Sequence, residues 1–105
     1  VIASWSDKKE KDTPFIYSPS LSGGFPSRDK ILTLYEEKSQ LNLNEIEFYV
    51  RLSFWKHAMI MEGVYVRYSL GYYGNVDKEE VEAFGESTLS FAQKASAKNL
   101  LKEIF

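Results

Sequence analysis

Between Glu45 and Leu70 the chain carries apolar side chains on two sides of what reads as one helix, and this constrains the fold more than anything else in the sequence. Advancing about 100° per residue, Ile46, Val50, Phe54, His57, Met61, Val64 and Tyr68 share one stripe, while Phe48, Leu52, Trp55, Met59, Val66 and Leu70 form a second. Glu47, Arg51 and Glu62 separate the stripes along one border, and Glu45, Lys56 and Arg67 along the other. A helix greasy on both sides has to be sandwiched between two layers. Asn44 and Glu47 have the spacing of a capping box, and Gly71 supplies a left-handed stop. Together they bracket a helix over about 45–70, about 39 Å long by the usual rise.

The flanking segments predict two further helices and a long loop. Ser27 is a candidate N-cap for a helix over about 28–40, with Ile31, Leu34, Tyr35 and Lys38 on one face. Asp77 and Glu80 repeat the capping-box spacing and open a helix over about 78–97, in which Val81, Phe84, Thr88, Phe91, Ala92 and Ala95 share a face. Leu100, Leu101, Ile104 and Phe105 fall off that face, so the tail is expected to bend near Ala97 and pack separately. Residues 6–26 mix charges with Pro14, Pro19, Gly23, Gly24 and Pro26. That density of breakers predicts a long loop, either functional or pinned by its own aromatics Phe15, Tyr17 and Phe25. The fold class is therefore all-α, with 1–105 forming one helical unit.

Composition narrows the function classes. A formal charge of -2 and a pI near 5.4 leave no basic field to draw in a nucleic-acid backbone. The absence of cysteine excludes disulfides, thiolate metal sites and a thiol nucleophile, and makes the cytoplasm the expected location. No stretch approaches the roughly 20 apolar residues of a membrane span. Val1 to Trp5, an apolar pentad opening directly onto Asp7, Lys8, Lys9 and Glu10, reads as the tail of an element that begins before Val1.

His57 is the single histidine, so histidine-paired catalysis and two-histidine metal sites are excluded within this chain. A packed core histidine is the favoured reading, a lone acid or base the other. Ser22-Gly23-Gly24-Phe25 lacks both the G-x-G-x-x-G spacing and a following GK[ST], and reads as a turn. No carboxylate pair stands out as an acid/base couple. Gly63, inside the long helix, costs about 1 kcal/mol against alanine and marks a close approach by another element or by a ligand. Glu62 and Arg67 border the stripes, where they either form ion pairs or line a cleft.

The run Phe48 to Tyr68, followed by Gly71, resembles the long C-terminal helix of the aminoglycoside-phosphotransferase-like kinases, in particular the branch fused to acyl-CoA dehydrogenases. Phe48, Tyr49, Phe54, Ala58, Ile60, Gly63, Tyr65, Arg67 and Gly71 carry the match, with Lys56 where that branch usually has Arg. Gly24 to Arg28 with Leu32 and Tyr35 resembles the segment that precedes this helix. The resemblance implies an ATP- and Mg-dependent transfer of a phosphoryl group to a small-molecule hydroxyl, performed by a whole protein of which this chain is the C-terminal helical subdomain. The family's H-G-D-x-x-x-x-N catalytic loop and D-x-E metal motif do not occur in these residues, so the chain is expected to hold no catalytic residue, metal ligand or cofactor of its own. It would contribute packing and a wall of the acceptor pocket, with Tyr65, Arg67 and Glu62 as candidate substrate-binding residues. Its partners would be the remainder of the kinase fold and the acceptor, without nucleic acid or membrane, and with a second copy as a further possibility. The alternative is a non-enzymatic helical module that docks a partner protein or self-associates.

Overall fold

The computed structural model describes residues 2–7, 18–40 and 42–105. Those residues are helical, with no strand among them: α1 (Arg28–Ser39), α2 (Ile46–Ser69), α3 (Lys78–Ser96) and α4 (Leu100–Ile104), preceded by a 3-10 turn at Pro19–Leu21. The expected all-α class and the three long helices hold to within about a residue at each end. Phe15 and Tyr17 lie outside the described residues.

Most helix boundaries follow from local chemistry. The Ser27 side chain accepts from the Lys30 amide at 3.2 Å, and Asp77 accepts from the Glu79 amide at 3.1 Å, so each satisfies one of the amides that a helix start leaves unpaired. At the end of α2, Gly71 takes φ +79°, Tyr72 donates its amide to the Arg67 carbonyl and Gly71 donates to Tyr68, which is the double bond of a Schellman ending. The start of α2 differs from expectation. The amide of Asn44 donates to the Asn42 side chain at 2.9 Å, Glu45 stands at the N-cap position without a side-chain capping bond, and the Glu47 carboxylate pairs with Arg51 at 2.9 Å. An Asx turn and an i,i+4 ion pair have taken the groups a capping box would need.

α2 and α3 form an antiparallel hairpin. Phe91 lies 6.1 Å from Phe54 and 5.2 Å from His57, while Phe84 stacks on Tyr68 at 4.9 Å. Arg51 closes the open end of the hairpin by donating from Nη1 to the carbonyls of Ala95 and Ala97 at 2.7 and 2.8 Å, which satisfies acceptors at the C-terminus of α3. The chain turns at Ala97, whose backbone is extended, but the tail does not pack separately as expected. Leu100 and Ile104, one turn apart on α4, are fully buried in one core with Ala3, Val50, Phe54, Ala58 and Phe91.

The amino-terminal segments attach to this core through Arg28. Its side chain is fully buried at the first turn of α1, with Nε donating to the Ile2 carbonyl at 2.8 Å, Nη1 to the Ile104 carbonyl at 3.3 Å, and the guanidinium 5.9 Å above the Phe54 ring. Its amide donates to Asp7 at 3.2 Å. One side chain thus joins the start of the described chain, α1, α2 and the end of α4. Burial pushes the guanidinium down to about 10, against the opposing pull of Asp7, so it stays charged at neutral pH. Residues 18–27 are tied to the amino-terminal turn by Ser20, which bonds both the amide and the carbonyl of Ser6, and by Trp5, which donates to the Pro26 carbonyl at 2.9 Å and meets Phe25 edge-on at 5.8 Å. Ser22 to Phe25 is a turn, as expected, with Gly24 at φ +93°.

Candidate functional site

The two stripes of α2 have opposite fates. Every residue of the first stripe, from Ile46 to Tyr68, is buried or half-buried against α3, α4 and the amino-terminal turn. Every residue of the second is exposed, from Phe48 at 61 % to Leu70 at 66 %. The expected sandwich therefore has one layer among the described residues, not two, because α3 and α4 both bury their apolar residues against the first stripe. His57 sits in the covered stripe, with Nδ1 2.7 Å from the Ser53 carbonyl and its ring against Phe91, which is the packed core role.

Two apolar grooves run along α2, the first on the bare stripe and the second beside the covered one. One of about 530 Å³ runs between α2 and α3 and is lined by Phe48, Leu52, Trp55, Met59, Ala92 and Ser96 among others. The other, about 320 Å³, lies between α1 and α2 and is lined by Ile31, Tyr35, Ile46, Tyr49 and Val50 with Ile2. No group of His, Asp and Glu that could hold a metal ion occurs among the described residues, and no helix there is long and apolar enough to cross a membrane.

The three sequence-derived site residues do not converge. Tyr65 is half-buried and lies against α3, where a Cβ on Gly85 would come within 3.1 Å of its ring. Glu62, one turn earlier on the same flank, is exposed. Arg67 is exposed on the opposite flank, about 200° from Tyr65 around the helix. There its guanidinium lies over Gly63, about 3.5 Å from where a Cβ would be. Gly63 is thus not a point of close approach to another described element, as the sequence suggested; within α2 and α3 that role belongs to Gly85. Arg28 was missed. The signal for it was a cation in the first turn of a helix, where the macrodipole disfavours positive charge and some other contact must hold it.

Compared with known proteins, the chain matches no family model, no curated protein and no solved structure. Its function has to be argued from these surfaces.

Proposed function

We propose that the chain is the C-terminal helical subdomain of an ATP-dependent phosphotransferase acting on a small-molecule hydroxyl, and that it supplies packing and acceptor-pocket wall while ATP and Mg are held elsewhere in that protein. The observation that carries this reading is where the kinase-like pattern falls on α2. Tyr49, Ile60, Gly63 and Arg67, with Lys56, follow one another at spacings of seven, four, three and four residues along a single edge. That edge is uncovered: Tyr49 is 58 % and Ile60 54 % exposed, and Arg67 is exposed beside them. Tyr49, Ile60 and Arg67 match the pattern and stay exposed among the described residues, and such positions are the ones the rest of a kinase fold would use. Arg67, a rigid fork of donors at the end of that edge, is then the best-placed of the three residues to meet an acceptor or its phosphorylated product.

The test is the reading frame on the amino-terminal side of Val1. An H-G-D-x-x-x-x-N motif within a few tens of residues, followed by D-x-E, supports the reading, and a continuous frame without either removes it. The chain by itself is expected to bind Mg-ATP no more tightly than about 0.1 mM, or roughly -5.5 kcal/mol. Titration calorimetry that found tighter binding would place the nucleotide site in these helices and overturn the division of labour. The bare second stripe favours a further reading, a helical module that binds another protein surface.

A further inference from the structure

The exposed stripe is spaced as a helix-pairing seam. Phe48, Leu52, Trp55, Met59 and Val66, with the border residue Glu62 between the last two, follow at steps of four, three, four, three and four, 18 residues in five helical turns, so they form one straight row along α2. Such a row can face a second helix lying along α2 at a shallow crossing angle. The neighbouring wall of α3 is built from Ala92 and Ser96, small residues that leave the groove open to a helix lying along it.

We propose that this seam pairs with the same seam of a second copy of the chain, α2 against α2 and antiparallel. Area is the first reason. Phe48, Leu52, Trp55, Met59, Val66 and Leu70, at 41 to 66 % exposure, present roughly 700 Å² of surface, close to the ~800 Å² that a standard-size interface takes from each partner. Charge fixes the direction. In a parallel pair Glu62 faces Glu62 inside an apolar seam, which is repulsive and desolvated. In the antiparallel register that sets Trp55 against Met59 of the other copy and Phe48 against Val66, Glu62 comes opposite Leu52 and next to Arg51 of that copy. Arg51 is half-exposed, lies on the same flank as Glu62 and already pairs with Glu47, so each Glu62 would join an existing ion pair and not face its own copy. The edge carrying Tyr49, Ile60 and Arg67 stays outside the seam, and the pairing does not rest on the phosphotransferase reading.

Sedimentation velocity across the micromolar range tests the proposal. A concentration-dependent dimer is expected, with Trp55→Glu shifting its dissociation constant upward by at least tenfold while the far-ultraviolet circular dichroism of the monomer is unchanged. Direction is read separately, because the chain has no cysteine and an introduced thiol is unique. Mixing the Phe48→Cys and Val66→Cys chains under mild oxidation should give the mixed cross-link in preference to either self cross-link. A monomer at all concentrations overturns the pairing, and so does a Trp55→Glu chain that dimerises as tightly as the parent sequence. Dominant self cross-links overturn the antiparallel register. If Trp55→Glu does not fold, the cross-linking pair alone decides. None of these outcomes bears on the upstream catalytic motifs, so failure here and failure of the phosphotransferase reading are told apart.

Discussion

The covered and bare faces of α2 are built from nearly the same residue types, yet one is a core and the other a surface. Phe54 and Phe48 lie six residues apart on one helix; the first is fully buried and the second 61 % exposed. Apolarity therefore selects the residues that can be buried, while the partner element decides which of them are. On the covered side that partner is α3, held antiparallel by Phe91 and Phe84 and clamped by Arg51. On the bare side the described residues offer no equivalent.

The comparison breaks first at the two phenylalanines. Phe54→Ala removes a ring packed on Phe91, beneath the Arg28 guanidinium, and is expected to cost about 3–5 kcal/mol, enough to unfold a domain of this size or nearly so. Phe48→Ala should change the stability of the monomer by less than about 0.5 kcal/mol. Urea melts of both variants at a concentration below dimerisation measure the difference. Equal losses would mean that the bare stripe is covered in solution even in the monomer.

A finer test uses the two helical glycines. A methyl group at Gly85 meets the Tyr65 ring at 3.1 Å, so Gly85→Ala makes the ring give by a few tenths of an ångström, which should offset much of the roughly 1 kcal/mol that alanine gains over glycine in a helix. At Gly63 the nearest group is the movable end of Arg67 at 3.5 Å, and the gain in helix propensity should stabilise the isolated chain by up to about 1 kcal/mol. Thermal denaturation should thus place Gly63→Ala above Gly85→Ala. If Gly63→Ala instead destabilises the chain, something approaches that face in solution that is not seen among the described residues.

What the sequence made legible follows the same division. Period and punctuation were readable: the two stripes, the Ser27 and Asp77 caps, the Gly71 stop and the three long helices all rest on interactions within a few residues. Choices between distant partners were not. Asn44 and Glu47 satisfy the capping-box spacing, and only the competing offers of Asn42 and Arg51 leave the box unformed. Leu100 and Ile104 lie off the α3 face, and it takes the reversal at Ala97 to bring them into the common core. Arg28 was the hardest, because its partners Ile2 and Ile104 lie 26 and 76 residues away and are backbone carbonyls, which carry no side-chain signature. Of the candidate site, the helix that carries all three residues and the border positions of Glu62 and Arg67 were legible, but the placement of Tyr65 against Gly85 was not.

Arg67 gives the smallest stability effect and the clearest separation of roles. Its guanidinium lies over Gly63 on an exposed flank, and among the described residues no bond from it to another element is seen. Arg67→Ala should therefore shift stability by less than about 0.5 kcal/mol, a melting difference of a few degrees at most for a chain this short. A residue that meets an acceptor behaves differently in catalysis. In the full-length phosphotransferase proposed above, the same substitution should raise KM for the acceptor or lower kcat, with KM for ATP unchanged. Lysine keeps the charge but loses the planar fork, so Arg67→Lys should recover part of the loss if charge is what the acceptor reads and little of it if bidentate geometry is. A lowered melting temperature with normal kinetics in the folded fraction would make Arg67 a structural residue and remove it from the acceptor wall. That outcome would leave Glu62 as the exposed member of the three, on the flank that the paired seam would cover.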